Sequence, residues 1–376
     1  MTKRAKGDPT LCEQVKDYLR AEIMERLSPG ERIPSEHELS RQFKVSRTTT
    51  RNALRDLYNE GIITRIQGKG TFVAERKHWG NSAAKDGAAR QVIFMVQMQT
   101  VYNEFQMIAG ASQYLHERGY DLTVKIANYK RDAEREVLLG AMETGKAGII
   151  AYPYNKNDDI VERILKARFP YVEVDCYTEE VPTSRVITDN YAGAYDAVRH
   201  LVELGHRRIA FATSPLSALT SVFKRFRGYW QALFDSGIPA DPELLWEEQH
   251  PGDSADRFVQ RLLGMEVKPT AVFCLHDIVA LGVEREMVTR GYSVPGDLAI
   301  VGYDDNPYAA HAAVVPLTTV AQDFVEMGRK AAELLLLQIE QGDFTTRIET
   351  LPSRLIVRES TTGKKGQEQV SSGMLV

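Results

Sequence analysis

Three arginines at four-residue spacing could read the edges of base pairs. Arg47, Arg51 and Arg55 recur every four residues and so share one face of a helix, with Thr48 and Asn52 beside them. The major groove of DNA admits a helix, and arginine can bind guanine through two parallel hydrogen bonds. Such a stripe alone equally fits a solvated basic surface, so its interpretation depends on the elements around it.

The segment that leads into this stripe predicts three helices. Apolar residues spaced as on one helix face occupy residues 11–27. Ser35 followed by Glu38 is a capping box that opens a second, short helix. Ser46 can cap a third helix, from about Arg47 to Glu60, whose opposite face would pack on the first two helices. The apolar residues of that opposite face are Ala53, Leu54 and Leu57.

A hairpin with glycines at its tip follows the third helix. Runs rich in β-formers at residues 62–66 and 71–73 flank the tip, Gln67-Gly68-Lys69-Gly70. The glycines let the backbone approach DNA closely, while Gln67 and Lys69 can reach a minor groove or phosphates; the glycines equally suit a tight turn. Arginine stripe, capped turn and basic hairpin in this order predict a winged helix-turn-helix DNA reader over residues 1–76.

Charge is distributed unevenly along the 376 residues. The net charge is −4, yet residues 1–77 hold 16 Lys and Arg against 11 Asp and Glu, while the rest holds 31 against 40. A basic N-terminal segment followed by an acidic remainder indicates that only the N-terminal segment contacts DNA. Residues 1–8 are charged and lead into no apolar run, and no stretch could span a bilayer, so we expect a cytoplasmic protein without membrane contact. Three scattered cysteines indicate neither disulfides nor a metal cluster, and we expect no metal or cofactor.

Beyond residue 90 the pattern changes to short β-rich runs that alternate with helical segments. This alternation predicts an α/β fold with parallel sheets covered by helices. The polar residues 77–90 are interpreted as a linker and residues 361–376 as a disordered tail. So many strands favour two α/β lobes with a cleft between them. We place the first lobe at about 91–190 plus 304–322, and the second at about 191–303 plus 323–360.

Polar residues at the ends of the predicted strands could bind a small polyol, because open α/β sheets bind ligands at the carboxyl ends of their strands. The candidates are Tyr152, Asp175, Asp277 and Asp304, together with Arg225, which comes early in the helix after the predicted strand at residues 208–212. Carboxylates accept hydrogen bonds from hydroxyls, arginine donates in a fixed fork, and an aromatic face covers the apolar side of a sugar ring. Any single aspartate could instead cap the helix that follows it. The convergence of several favours a pocket.

Three stretches of the front segment carry a resemblance to a known family. They are residues 28–36 (SPGERIPSE), 45–51 (VSRTTTR) and 67–73 (QGKGTFV). Over about residues 11–75 the chain resembles the GntR family of bacterial regulators. The resemblance implies that Arg47 and Arg51 contact bases or phosphates, that Glu36 lies at the DNA surface, and that Gln67 and Gly68 enter the minor groove. His37 stands where this family often has an arginine.

Further stretches carry a second resemblance, which spans about residues 91–360. Among them are residues 186–190 (VITDN), 204–210 (LGHRRIA), 225–229 (RFRGY), 301–305 (VGYDD) and 316–320 (PLTTV). They resemble the effector domain of the LacI/GalR regulators, itself similar to periplasmic binding proteins for sugars. The resemblance implies a two-lobed fold crossed by three strands, homodimerisation through this domain, and ligand contacts at Asp175, Arg225 and Asp277. His276 stands where that family commonly has asparagine.

A GntR-like DNA-binding domain joined to a LacI-like effector domain is the arrangement of the arabinose-repressor (AraR) group, to which the chain is similar. This resemblance implies a homodimer on double-stranded operator DNA that represses carbohydrate-use genes until a pentose binds. An activator, or a regulator that responds to a nucleoside or purine, remains open. A sugar-binding transport protein is a further alternative, although it would require an export signal. Metal-helix, nucleophile-elbow and phosphate-loop motifs are not found, so we do not expect an enzyme.

Overall fold

The structure is a computed structural model, and it describes most of the chain in two compact units. One unit is formed by the chain up to Gln91 together with residues 145–147, and the other by the remainder. The hairpin tip Gln67-Gly68-Lys69, residues 77–89 of the predicted linker and the predicted tail beyond Thr362 lie outside the described residues. The described residues are 11–59, 62–66, 70–74, 90–98, 101–217, 219–239, 241–248, 255–311 and 313–362.

The first unit contains the predicted helices and hairpin strands. Its elements are α1 (Leu11–Glu25), α2 (Glu36–Gln42), α3 (Arg47–Asn59), β1 (Ile63–Ile66) and β2 (Gly70–Val73). β1 and β2 pair antiparallel, with Ile63 opposite Val73. Apolar residues from all five elements meet in one core, which includes Val15, Leu19, Ile23, Leu39, Leu54, Leu57, Ile63 and Val73. The predicted winged helix-turn-helix fold is confirmed.

Side-chain caps determine where α2 and α3 begin. At the start of α2 the Ser35 amide donates to Glu38 Oε2 at 2.6 Å, and the Glu38 amide donates to Ser35 Oγ at 3.3 Å. These bonds form the predicted capping box. They also lower the pKa of Glu38, because the backbone and side chain of Ser35 donate to the ionised carboxylate. At the start of α3 the Thr49 amide donates to Ser46 Oγ at 3.1 Å.

The second unit has two lobes, and the first lobe is built on a six-stranded sheet of order β13-β7-β6-β5-β3-β4. The strands are β3 (Gln91–Val96), β4 (Asp121–Ile126), β5 (Gly148–Ala151), β6 (Tyr171–Val174), β7 (Ser184–Thr188) and β13 (Ile348–Leu351). Pairing runs parallel from β3 through β5, β6 and β7 to β13. The helices of this lobe are α4 (Val101–His116), α5 (Arg131–Glu143), α6 (Asp158–Lys166) and α12 (Phe324–Gln341).

The second lobe is built on another six-stranded sheet, of order β14-β12-β11-β10-β8-β9. The strands are β8 (Ile209–Thr213), β9 (Leu245–Glu247), β10 (Ala271–Cys274), β11 (Ala299–Asp304), β12 (Thr318–Ala321) and β14 (Arg354–Ile356). They pair in parallel except β14, which runs antiparallel to β12. The helices are α7 (Asn190–Glu203), α8 (Thr220–Asp235), α9 (Ala255–Gly264), α10 (Asp277–Thr289), α11 (Pro307–His311) and α13 (Glu359–Thr362), with a 3₁₀ turn at Pro242–Leu244.

The predicted lobe boundaries are wrong beyond residue 303. β12 pairs with β11 and β14, which keeps residues 304–322 in the second lobe. The helix α12 packs on α4 and β6, and β13 pairs with β7, so residues 323–351 belong to the first lobe. Within the described residues the chain therefore passes between the sheets three times, after β7, β12 and β13. The sheet to which a strand belongs is determined by pairing with segments that are distant in sequence. A local sequence pattern therefore does not predict it.

Two glycines let α4 and α12 pack with their backbones in direct contact. A Cβ atom at Gly110 would lie 1.9 Å from the Val325 carbonyl oxygen, and one at Gly328 would lie 1.8 Å from the Met107 carbonyl oxygen. No other residue fits at either position without moving a helix. This close approach fixes α4, which carries Asn103 and Met107 into the cleft described below.

Candidate functional site

The helix α3 presents one polar face to solvent and buries the other. Arg47, Thr48 and Arg51 are exposed, whereas Leu54 and Leu57 are buried in the core of the first unit. Arg47 and Arg51 are one helical turn apart and so project from the same face. The helix therefore holds two guanidinium groups and a hydroxyl on an exposed, rigid surface. The Arg55 side chain lies outside the described residues.

The start of α2 holds both guanidinium groups in place. Arg51 Nε lies 3.2 Å from Glu36 Oε2, and Arg47 Nη2 donates to His37 Nδ1 at 3.2 Å. Thr50 Oγ1 also donates to the Glu36 carbonyl oxygen at 3.3 Å, which ties α3 to α2. The structure thus brings together Glu36, His37, Arg47 and Arg51, four of the five predicted DNA-contacting residues outside the hairpin tip, and the fifth, Thr48, is exposed on α3. The remaining three candidates, on the hairpin tip, lie outside the described residues.

A second site, which we call the inner pocket, lies in the cleft between the lobes of the second unit, with a volume of about 60 Å³. Tyr152 follows β5, Asp175 follows β6 and Asp304 ends β11, so each lies at a carboxyl end of a parallel strand. Arg225 reaches the same pocket from α8. The rule that ligands bind beyond strand ends therefore located Tyr152, Asp175 and Asp304, and with Arg225 four of the five predicted residues line one pocket.

Arg225 is the most constrained group in the inner pocket. Its Nε donates to Asn190 Oδ1 at 2.7 Å, and its Nη1 donates to the Leu275 carbonyl oxygen at 2.6 Å. Its Nη2 lies 3.6 Å from Asp304 Oδ1, and the guanidinium carbon is 3.7 Å from the centre of the Tyr303 ring. These contacts hold the buried charge in one orientation at the base of the cleft.

Asp304 joins elements from both lobes. Its Oδ2 accepts a hydrogen bond from Asn103 Nδ2 at 2.9 Å, and its Oδ1 accepts one from Gln322 Nε2 at 2.8 Å. Burial raises the pKa of Asp304 to about 6, although the charge of Arg225 acts in the opposite direction. Asp304 and Asp175 both have positive φ, 110° and 61°, which costs backbone strain in residues other than glycine. Such strain is common where a side chain must face a ligand.

Asp277 differs from its predicted place, and the neighbouring His276 lines the pocket instead. The carboxylate of Asp277 is buried beneath α10, where it accepts from the Asn306 amide at 2.7 Å and from Thr319 Oγ1 at 2.6 Å. Gly302 makes room for it, since a Cβ there would lie 2.2 Å from Asp277 Oδ1. Asp277 therefore ties α10 to the segments that follow β11 and begin β12, and its predicted contact with the ligand stays a prediction.

His276 can donate one hydrogen bond into the inner pocket. Its Nδ1 accepts from the Val279 amide at 3.4 Å at the start of α10, so the ring proton belongs on Nε2. Burial, together with the charge of Arg225, lowers the pKa of His276 to about 4. The ring is therefore neutral near pH 7.

Two further pocket residues, Asn103 and Gln322, were missed by the sequence reasoning. Gln322 directly follows β12, so the strand-end rule would have found it had this strand been assigned. Asn103 lies in the first turn of α4, where no strand end marks it. Because each amide nitrogen donates to Asp304, each amide oxygen is directed away from it.

Unpartnered acceptors define what the inner pocket can bind. Asn103 Oδ1, Asp175 Oδ1 and Gln322 Oε1 are buried and have no hydrogen-bond partner among the described residues. A buried polar atom without a partner costs on the order of 1–3 kcal/mol, so a ligand that supplies donors recovers this energy. Asp175 and Asp304 also place two carboxyl groups around the single guanidinium of Arg225. The arrangement suits an uncharged molecule with several hydroxyl groups.

Comparisons with known proteins agree with both halves of the chain. Residues 11–73 match the model of the bacterial regulatory proteins of the gntR family, and residues 198–361 match that of the periplasmic binding protein-like domain. The arabinose metabolism transcriptional repressor of Geobacillus stearothermophilus is 34% identical over 94% of this chain and 98% of its own length. The HTH-type transcriptional repressor PurR of Aliivibrio salmonicida (strain LFI1238) is 29% identical over 69% of this chain and 78% of its own length.

A solved structure shares the fold of the second unit. The LacI family transcriptional regulator from Enterococcus faecium, determined with bound ribose, is 28% identical, and the match covers 73% of this chain and 100% of that chain with a TM-score of 0.65. Among the described residues of the present chain, no helix has both the length and the hydropathy needed to cross a bilayer.

Fold and sites together define a transcription regulator that joins a GntR-type DNA-reading unit to a LacI/GalR-type effector-binding unit. Within this class, the chain belongs to the family of the arabinose metabolism transcriptional repressors. The predicted fold class and the predicted family are both confirmed.

Proposed function

We propose that the protein represses carbohydrate-use genes and is released from its operator by a neutral sugar, with arabinose or another pentose favoured. The unpartnered oxygens of Asn103, Asp175 and Gln322 carry the proposal, because sugar hydroxyls supply the donors that these oxygens lack. Arg225 and His276 can donate hydrogen bonds to the oxygen of a hydroxyl group. The pocket therefore offers partners both for the proton and for the oxygen of a sugar hydroxyl. The name of the relative from Geobacillus stearothermophilus supports arabinose.

The charge of the inner pocket disfavours anionic ligands. Asp175 and Asp304 outnumber the one guanidinium, and Arg225 already donates to Asn190 and to a backbone carbonyl. A sugar phosphate or a sugar acid would place a further negative charge in a site with little solvent to screen it. A neutral pentose meets no such penalty.

On the DNA side, α3 lies in the major groove of the operator in this proposal. Arg47, Thr48 and Arg51 contact bases or phosphates, with Glu36 and His37 holding the guanidinium groups at the groove. Gln67, Gly68 and Lys69 of the hairpin tip reach the minor groove. A homodimer presents two such units to an inverted repeat, so the operator is a palindrome.

Release requires that sugar and DNA prefer different states of the protein. The inner pocket takes side chains from both lobes, so a bound sugar favours the closed arrangement of the lobes. If DNA binds better to the other arrangement, the two ligands oppose each other by a coupling free energy of about 1–3 kcal/mol. An activator would show the same coupling between sugar and DNA. A reporter gene placed behind the operator distinguishes a repressor from an activator. For a repressor, expression of the reporter rises when the regulator is deleted.

A nucleoside or purine effector is the second candidate, and the similarity to PurR favours it. A thermal-shift screen of the full chain with pentoses, hexoses, sugar phosphates and nucleosides discriminates between the candidates. A ligand at 100 times its Kd stabilises the protein by about 2.7 kcal/mol, which is easily measured. We expect a free pentose to raise the Tm of the wild type and not that of Asp304→Asn. Stabilisation by a nucleoside or a sugar phosphate, with none by any free sugar, would contradict the proposal.

A further inference from the structure

A larger cavity, the outer compartment, adjoins the inner pocket. Tyr154 and Leu219 line both, so the two spaces share a wall. The outer compartment has a volume of about 330 Å³, against about 60 Å³ for the inner pocket. On the first lobe its wall is formed by the segments that follow β5 and β6, including Asp158 and Tyr177, and on the second lobe by the start of α8, including Phe223. Tyr154 and Leu219 therefore separate the two spaces, and a movement of either side chain would let an effector extend from one into the other.

Two residues that line the outer compartment, one on each lobe, have an unpartnered polar atom. Asp158 Oδ1 on α6 and Thr220 Oγ1 on α8 are buried and have no hydrogen-bond partner among the described residues. Dehydrating such atoms without replacing their hydrogen bonds costs free energy. A ligand that carries both donor and acceptor groups, as a hydroxyl does, satisfies the carboxylate oxygen on one wall and the threonine hydroxyl on the other.

The same compartment offers an apolar surface. Phe223, in the first turn of α8, lines it and keeps 44% of its side chain exposed. A sugar ring has an apolar face of C–H groups that packs on an aromatic ring while its hydroxyls bond at the edges. An aromatic ring in the same lining as two hydrogen-bonding residues therefore suits a second sugar ring.

The charges of the outer compartment are mainly negative. Lys156 Nζ lies 3.2 Å from Glu180 Oε1, and Asp158 and Glu179 add further carboxyl groups to the lining. This excess disfavours phosphate or uronate substituents, as in the inner pocket.

We infer that the outer compartment is a second sugar subsite and that the preferred effector is a neutral disaccharide, with a pentose in the inner pocket. The inference rests on the proposed function, since it assigns the first ring to the inner pocket. It adds that the protein responds more strongly to a pentose-containing disaccharide, of the kind released when a polysaccharide is cleaved, than to the free monosaccharide.

Isothermal titration of the full chain with matched sugars tests this inference. The pairs are L-arabinose with 1,5-linked arabinobiose, D-xylose with 1,4-linked xylobiose, and D-ribose with adenosine. We expect at least one disaccharide to bind about tenfold more tightly than its own monosaccharide, the size of effect that one aromatic contact and one hydrogen bond can supply.

Variants then separate the subsites. Phe223→Ala and Thr220→Val should each weaken the disaccharide about tenfold and leave the monosaccharide within about twofold, while Thr220→Ser should restore binding. Phe234→Ala is the matched control, because Phe234 lies on the same helix, is 72% exposed, and is not part of the compartment lining. It should change neither affinity.

Each other outcome has a distinct meaning. A monosaccharide that binds as tightly as every disaccharide, or a Phe223→Ala variant that weakens both equally, would overturn the second subsite and leave the proposed function intact. Adenosine binding more tightly than ribose, with a loss in Phe223→Ala, would assign the compartment to a nucleobase instead. If no sugar of either length binds the wild type, the proposed function itself fails.

Discussion

Two arginine–carboxylate pairs in this chain have similar geometry and opposite surroundings. Arg51 and Glu36 on the first unit approach to 3.2 Å, with 61% and 32% of their side chains exposed. Arg225 and Asp304 in the second unit lie 3.6 Å apart, and each is only 7% exposed. Water screens the first pair, so its arginine can exchange Glu36 for a phosphate or a base at little cost. The second pair is fixed by burial, and its arginine is held in one orientation by partners within the protein.

The largest expected effect comes from the same substitution made in the two pairs. Arg225→Met should lower the free energy of unfolding by about 3–5 kcal/mol, because Asp304 and Asp175 lose their buried counter-charge. Arg51→Met is the matched control and should change it by less than about 0.5 kcal/mol. Urea denaturation followed by circular dichroism measures both. Equal losses in the two variants would show that burial does not distinguish the pairs.

The two substitutions should affect the affinity for DNA in the reverse order, with the larger effect in Arg51→Met. Arg51→Met should weaken specific DNA binding by about 1–3 kcal/mol at constant salt, because it removes a guanidinium group from the exposed face of α3. Arg225→Met, at a temperature where it stays folded, should bind the same DNA within about twofold of the wild type. Fluorescence anisotropy with a labelled duplex measures both affinities. Wild-type affinity in Arg51→Met would place the reading face elsewhere.

The buried pair should also respond to pH where the exposed pair does not. Burial raises the pKa of Asp304 to about 6, against opposition from Arg225. Asp175 faces the same guanidinium, and burial raises its pKa as well. Lowering the pH from about 7.5 to about 5 therefore protonates Asp304, removes an acceptor and should weaken sugar binding several-fold. Isothermal titration of the wild type with the sugar at both pH values measures this change, and an affinity that does not fall toward pH 5 would contradict the assignment to Asp304.

The contribution of Asp304 to the stability of the unliganded protein should increase as the pH is lowered, whereas sugar binding should weaken. A carboxyl group whose pKa is higher in the folded state than its ordinary value of 3.8 binds more protons when folded. Its favourable contribution is complete below that ordinary value and is lost as the pH rises through about 6. The Asp304 contribution to the free energy of unfolding is therefore larger at about pH 5 than at about pH 7.5. Comparison of wild type and Asp304→Asn by urea denaturation at both pH values measures it, and a contribution that grows with pH would contradict the assignment.

Local patterns were sufficient to predict the DNA-reading unit. The exposed side chains Arg47 and Arg51 and the buried side chains Leu54 and Leu57 follow from the helical period of α3. The caps at Ser35 and Ser46 involve residues three positions apart, so both could be predicted from sequence. The caps and the apolar period of such helices are local signals, although their stability depends on the packing of the apolar face.

The pocket was predicted in part, because strand ends are local and pairing is not. Tyr152, Asp175 and Asp304 follow predicted strands directly, and the structure brings them together. His276 and Asp277 are adjacent in the chain, and which of them faces the cleft depends on where β10 ends and α10 begins. Sequence periodicity stops at that junction, so it could not choose between them.

The course of the chain beyond β11 was beyond sequence reasoning for a related reason. β12 could have joined either sheet, since both consist mainly of parallel strands. Its pairing with β11 places Gln322 at the pocket and sends α12 to the first lobe, where Gly328 meets α4. This choice depends on complementarity between distant segments, which no local pattern records.

The central claim is that filling the inner pocket weakens the hold of the first unit on DNA. The most direct measurement is the Kd of the full chain for a duplex selected from a random pool, with and without the sugar that stabilises the protein best. We expect saturating sugar to raise this Kd by about 5-fold to 150-fold in the wild type and to leave it unchanged in Asp304→Asn at the same sugar concentration. A Kd that stays the same with every sugar that binds, or that falls, would contradict it.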